Sequence, residues 1–291
     1  MDSNELIKKV RKIEIKTRGL SQNIFAGEYH SAFKGRGMTF SEVRAYQYGD
    51  DIRDIDWNVT ARHNQPYIKV YEEERELTVM LLVDVSASRN FGAVGTEKRE
   101  MIAEIAATIA FSAIQNNDKI GAIFFSDKVE KFISPQKGRK HILFLIRELL
   151  DFQPESKGTD IAQAVRYFSN ALKRRCTMFL LSDFIDSSDY RTPLTVAVSR
   201  HDVMAIQVYD KRDGELPDVG LMRVADLETG NTCWIDTSSS ATRKAYSKWW
   251  YDRQQQMSTT LRSTRVDYTT VATDEDYVRA LMGLFKNRST I

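Results

Sequence analysis

Leu77-Thr78-Val79-Met80-Leu81-Leu82-Val83-Asp84-Val85-Ser86-Ala87-Ser88 decides how this chain is read. An apolar run stops at one carboxylate, and two hydroxyls follow at alternate positions. A run this short and this apolar is a strand buried on both faces, as in the middle of a parallel sheet covered by helices. Ligands of open α/β sheets bind outside the carboxyl ends of the strands, which is where Asp84, Ser86 and Ser88 fall. Oxygens spaced D-x-S-x-S on a turning loop can converge on one small dication, because Mg²⁺ takes hard oxygen ligands in a near-octahedral shell and accepts few carboxylates. The same letters also suit a strand end whose Asp and Ser merely satisfy the next turn. Two later segments of the same chemical type favour a site.

Outward from that strand, a helix is expected from about Glu97 to Gln115, with Ile102, Ile105, Ile109 and Ala113 on one face. Ile120 to Phe125 reads as a second buried strand, followed by Val129 to Ile133 and a helix striped by Ile142, Ile146 and Leu149. Strand, helix, strand, helix is the βαβ rhythm of a parallel sheet. Lys157-Gly158-Thr159-Asp160 opens a helix with Ile161, Val165, Phe168 and Leu172 inward, and Thr159 is placed to cap it while presenting a hydroxyl at the sheet top. The next strand, Thr177 to Leu181, stops at Ser182-Asp183, a second carboxylate at a buried strand's end. A helix near Pro193 to Ser199 and a strand from Val203 to Tyr209 follow. A hairpin near 222–235, a long helix from about Ser240 to Leu261, a strand from Val266 to Val271 and a helix capped by Asp274 complete the chain.

The stretch before the organising strand differs in character. Residues 2 to about 19 suit a helix, and Tyr67 to Tyr71 alternates like an edge strand. Between them, Asp50, Asp51, Asp54 and Asp56 lack the spacing of a calcium loop, so ion pairs with Arg53 and Arg62 and an aromatic plug at Trp57 are expected. Lys34 and Arg36 beside glycines match no phosphate-cradling loop and read as a solvated turn. The division expected is an N-terminal arm over 1–76 and an α/β domain over 77–291.

Composition narrows the function. The 291 residues carry 42 basic and 40 acidic side chains, well mixed, so no field invites nucleic acid or an anionic membrane. The 42% hydrophobic and 28% charged content suits a globular fold, and no apolar stretch reaches the length of a membrane span. Cys176 and Cys233 form no C-x-x-C motif or disulfide framework, which suits a reducing cytoplasm. His30, His63, His141 and His201 are scattered, and no G-x-S-x-G elbow, Walker loop or H-E-x-x-H is present.

Asp84, Ser86, Ser88, Thr159 and Asp183 therefore occur in the order D-x-S-x-S, T, D on three loops of one sheet edge. That set resembles the metal-ion-dependent adhesion site of von Willebrand factor A domains at all five positions. The resemblance implies that Ser86, Ser88 and Thr159 supply hydroxyl oxygens, while Asp84 and Asp183 hold the metal or its waters. It implies Mg²⁺, with Mn²⁺ or Ca²⁺ as alternatives, and a vacant position that an acidic side chain of a protein partner completes. Further motifs, among them Gly35-Arg36-Gly37-Met38-Thr39-Phe40, Tyr46-Gln47-Tyr48-Gly49-Asp50-Asp51-Ile52-Arg53-Asp54-Ile55-Asp56-Trp57 and Ala61-Arg62, resemble the bacterial family catalogued as "domain of unknown function 58" over nearly the whole chain. Tyr48 stands where many members have Pro, and the amino-terminal membrane helices of longer members are missing, so a soluble, cytoplasmic member is expected.

The resemblance implies a chaperone-like role beside a MoxR-type AAA+ ATPase or its substrate. The expectation is a non-enzymatic interaction module of a von Willebrand factor A-like, mostly parallel α/β fold. Two alternatives stay open: a Mg²⁺-dependent phosphohydrolase with Asp84 as nucleophile, although that motif needs a second Asp where Ser86 stands, and a structural domain whose site holds no metal. The sequence does not fix the oligomeric state.

Overall fold

The computed structural model describes residues 3–20, 38–63, 65–73, 77–90, 92–93, 96–225 and 231–289. In chain order the elements are α1 (Ser3–Leu20), β1 (Met38–Ala45), α2 (Trp57–His63), β2 (Tyr67–Glu73) and β3 (Thr78–Asp84). The two-residue pair β4 (Gly92–Ala93) and β5 (Thr96–Glu97) precedes α3 (Lys98–Gln115), β6 (Lys119–Phe125), β7 (Val129–Gln136), α4 (Arg139–Asp151) and α5 (Ile161–Ala171). Then come β8 (Thr177–Ser182), α6 (Arg191–Arg200), β9 (Asp202–Tyr209), β10 (Leu221–Ala225), β11 (Thr232–Asp236), α7 (Ser240–Ser263), β12 (Asp267–Ala272) and α8 (Tyr277–Ser289).

The main sheet runs β12-β9-β8-β3-β6-β7, and β3 lies inside it between two parallel partners. Of the six strands only β7 is antiparallel, paired to β6 at the sheet's end. The period of two decides what β3 does. Val79, Leu81 and Val83 enter one core with residues of α3, α4 and α8, whereas Met80 and Leu82 enter the other with α5, α6 and α7. A strand that must bury both faces has no polar position until it ends, which is why its sequence shows no alternation. Each such side chain stabilises the fold by about 1.5–3 kcal/mol relative to exposure. The α/β architecture with helices on both faces is the one expected from the sequence.

The N-terminal part divides in two. Helix α1 lies against α3 and α4, where Ile13 is buried and Lys9 pairs with Glu100 at 2.6 Å. Strands β1 and β2 form a separate antiparallel pair. Asp50 is held by both guanidinium nitrogens of Arg44 at 2.8 Å, and Asp56 accepts from the backbone of Asn58 and Val59 at the start of α2. The carboxylates here thus serve ion pairs and caps, with Arg44 and Lys69 as main partners in addition to a 3.6 Å contact of Arg53 with Asp51. Trp57 corrects the expectation of a plug: it is 68% exposed at the first position of α2, a helix with no buried residue. Lys34 and Arg36 lie outside the described residues.

Two caps also fall one or two residues from their expected places. Asp160, not Thr159, caps α5 by accepting from Gln163 N at 2.8 Å. Asp276 accepts from Val278 N at 3.0 Å at the start of α8, while Asp274 pairs with Lys211. Among the described residues no helix is long and apolar enough to cross a membrane.

Candidate metal centre

Register brings the loops together. Asp84 ends β3 opposite Phe125 of β6, and its neighbour Val83 is paired with Leu181, one residue before Ser182 of β8. The chain leaves β3 through a hydrogen bond from Val85 N to Phe125 O, and Ala87 N donates to Lys157 O at 3.1 Å. That second bond fastens the Ser86–Ser88 loop to the Lys157–Asp160 loop. Asp160 N in turn donates to Ser126 O at 2.9 Å. The third loop is secured by two hydrogen bonds: Gln207 Nε2 donates to Asp183 O at 3.0 Å, and Arg253 of α7 donates to Asp186 O at 2.7 Å. Asp186 also accepts from Ile161 N, tying this loop to the start of α5.

Within that frame Asp84 is 3% exposed. Its Oδ1 accepts from Ser86 N at 2.9 Å and its Oδ2 from Ser182 Oγ at 2.6 Å. Ser182 Oγ accepts from Phe184 N, so this hydroxyl is fixed as a donor toward Asp84. Ser86 Oγ and Ser88 Oγ stand 3.0 Å apart. Asp183, 5% exposed, accepts from Ile185 N on Oδ1. Burial first, and then the charge of Asp183, push the Asp84 carboxyl up to about 7 against the hydrogen bonds it receives. Asp84 is therefore a carboxylate whose charge is opposed chiefly by its burial and secondarily by Asp183.

Asp84, Ser86 and Ser88 are thus joined directly, Asp183 acts on Asp84 through its charge, and Thr159 sits half-buried on the adjoining loop. The donor chemistry fits a small dication. Oxygens about 2.1 Å from Mg²⁺ in an octahedron lie about 3.0 Å from their neighbours, the separation found between the two serine hydroxyls. Among the described residues no group of three His, Cys, Asp or Glu is arranged to hold a metal, so a site here depends on hydroxyls.

A residue that the sequence did not single out completes the picture. Lys98, at the first position of α3, is 1% exposed and places Nζ 3.2 Å from Asp183 Oδ2 and 2.7 Å from Asp213 Oδ2. Burial works against this ammonium, but Asp183 and Asp213 outweigh it and hold its pKa above the ordinary lysine value. Asp213 itself is raised, mainly by burial. The signal was available: Lys98-Arg99 open a helix whose N-terminus favours acidic residues, so a lysine there needs a reason.

Residues 42–274 match the family described as "Protein of unknown function DUF58". The chain belongs to this family. Uncharacterized protein Rv1480 of Mycobacterium tuberculosis (strain ATCC 25618 / H37Rv) is 32% identical to this DUF58 chain over 232 residues, 79% of this chain and 73% of that protein. Among solved structures, conserved hypothetical protein BatB from Bacteroides thetaiotaomicron aligns over 74% of this chain and 100% of its own, at 14% identity and a TM-score of 0.48. Proximal thread matrix protein 1 from the mussel byssus, solved with a zinc-occupied MIDAS motif, aligns over 46% of this chain and 38% of its own, at 16% identity and a TM-score of 0.37.

Proposed function

We propose that this DUF58 chain is a non-enzymatic interaction module that grips an acidic side chain of a protein partner through a divalent cation held by Asp84, Ser86, Ser88, Thr159 and Asp183. The observation that carries this reading is the Asp84 carboxylate, buried beside a second carboxylate and two hydroxyls 3.0 Å apart. A dication would offset both the burial and the Asp183 charge that raise Asp84. Hydroxyl ligands leave such an ion with residual positive charge and an exchangeable position, which an anionic oxygen from another molecule fills. Mg²⁺ is the first choice, and Mn²⁺ and Ca²⁺ share its preference for oxygen. The family resemblance supports a cytoplasmic setting and a MoxR-type AAA+ ATPase, or its substrate, as partner. A phosphohydrolase has less support, because position 86 holds a serine and both Asp84 oxygens already accept hydrogen bonds.

Calorimetry and thermal shift with Mg²⁺ and Mn²⁺ on wild type and Asp84→Ala test the metal. A response in the wild type alone is expected, and identical responses remove the reading. A pull-down with and without chelator tests the partner contact. Phosphate release that vanishes in Asp84→Asn would transfer the function to catalysis. One observation favours a second reading, a structural domain without metal: the Lys98 ammonium already offers Asp183 a positive charge. Under that reading the wild type shows no metal response.

A further inference from the structure

We propose that Lys98 tunes the candidate metal centre by reducing the negative charge a dication meets at Asp183, and that Asp213 sets how strongly it does so. The inference rests on the metal reading above. Lys98 is enclosed on all sides, and its ammonium lies nearer to Asp213, at 2.7 Å, than to Asp183, at 3.2 Å. Asp213 is in no position to follow the lysine toward the site. Its Oδ2 also accepts from Asp210 N at 2.9 Å, within a capping box in which Asp210 is held by Arg212. The lysine stem is buried at the first turn of α3. The ammonium is therefore suspended between two anchored carboxylates, of which only Asp183 belongs to the candidate site.

A dication bound at Asp84 and Asp183 would face this ammonium as a like charge in a buried region, where salt screens little. The charge withheld by Asp213 is charge that no longer opposes the metal. An apolar side chain of similar length would fill the same volume without conflicting with the helix dipole. A charge kept here against both burial and dipole, in contact with a site carboxylate, is what a tuning role requires.

Two variants separate this role from a merely structural one, because they move metal affinity in opposite directions. Asp213→Asn removes the nearer of these two carboxylates from the ammonium, and Mg²⁺ binding to the full chain is expected to weaken at least fivefold by calorimetry. Lys98→Met combined with Asp213→Asn removes one charge of each sign, keeps the net charge, and is expected to tighten Mg²⁺ binding at least tenfold. Melting in chelator confirms that each variant is folded. Shifts of opposite sign support the proposal, while shifts of the same sign, or values within twofold of wild type, overturn it. If Asp213→Asn does not fold, the double variant decides alone: tighter binding supports the role and anything else refutes it. A folded wild type that takes up no Mg²⁺ is a different result, and it is the metal reading that then fails.

Discussion

Replacing Asp84 by Asn is expected to stabilise the metal-free protein and to abolish the gain from metal, and the size of the first effect follows from the structure. The folded carboxyl is raised to about 7 by burial and by Asp183, whereas an unfolded Asp titrates near ~3.9. A raised folded value means that the native state binds the proton more tightly. Stability from this group is fully present below ~3.9, falls as pH rises from there to about 7, and stays low above it. Each pH unit of separation corresponds to about 1.4 kcal/mol, so ionising Asp84 costs the metal-free protein at most about 4 kcal/mol at pH 8. Asn removes that cost but gives Ser182 Oγ a poorer partner, a loss of about 1 kcal/mol. The net expectation at pH 8 in chelator is a variant more stable by about 1–3 kcal/mol, or a few degrees in melting temperature for a chain of this size. With Mg²⁺ at a hundredfold excess over its dissociation constant, the wild type gains about 2.7 kcal/mol and the variant gains nothing. The assay is thermal melting at pH 5 and pH 8, each with chelator and with Mg²⁺. A variant less stable than wild type at pH 8 in chelator would refute the reasoning, since Asp84 would then be a contented ion.

Other consequences are simpler to read. Ser88→Ala is expected to lower Mg²⁺ affinity at least tenfold in calorimetry while changing the melting temperature in chelator by no more than about 1 kcal/mol in equivalent stability, because it removes one hydroxyl contact, to Ser86. Gly121→Ala should destabilise by about 1–3 kcal/mol in denaturant unfolding: its Cβ would stand 2.7 Å from Ile133 O, 2.8 Å from Met80 Sδ and 2.9 Å from Pro135 N, all inside the sheet. Tyr48→Pro should stabilise by about 0.4–1 kcal/mol in the same assay. Tyr48 is solvent-exposed at the second position of a turn closed by Asp50 N to Gln47 O, and Gly49 after it has φ of 107°, the geometry in which Pro at that second position is favoured.

What the sequence discloses is what local physics writes into it. Strand β3 was legible because burial on both faces leaves only apolar residues from Val79 to Val83, and Asp84, Ser86 and Ser88 were legible because they come at and just after the strand's end. Asp183 follows β8 in the same way. Exposure at Trp57 was not legible: a large aromatic beside an Asp-rich turn suggests a plug, yet whether it is covered depends on what packs there. The caps at Asp160 and Asp276 were misplaced because Thr159-Asp160 and Asp274-Glu275-Asp276 each offer competing oxygens, and the backbone path chooses between them.

Lys98 shows the limit most clearly. It reaches Asp183 across 85 residues of chain, and neither periodicity nor loop spacing marks a charge that becomes buried only when α3 and the turn after β9 close on it. Its conflict with the helix dipole is a matter of about 0.3–1 kcal/mol, whereas losing one partner of a buried ion pair costs about 3–5 kcal/mol. The carboxylates therefore decide where the ammonium rests. It follows that five matched oxygens do not by themselves fix how a site of this kind behaves. Two chains with identical D-x-S-x-S, T and D residues would differ in cation affinity if one carried Lys98 and Asp213 and the other a neutral pair. On the proposal that Lys98 tunes the site, the charge at Lys98 and Asp213, which the oxygen motif leaves unspecified, would help to set how tightly a dication binds.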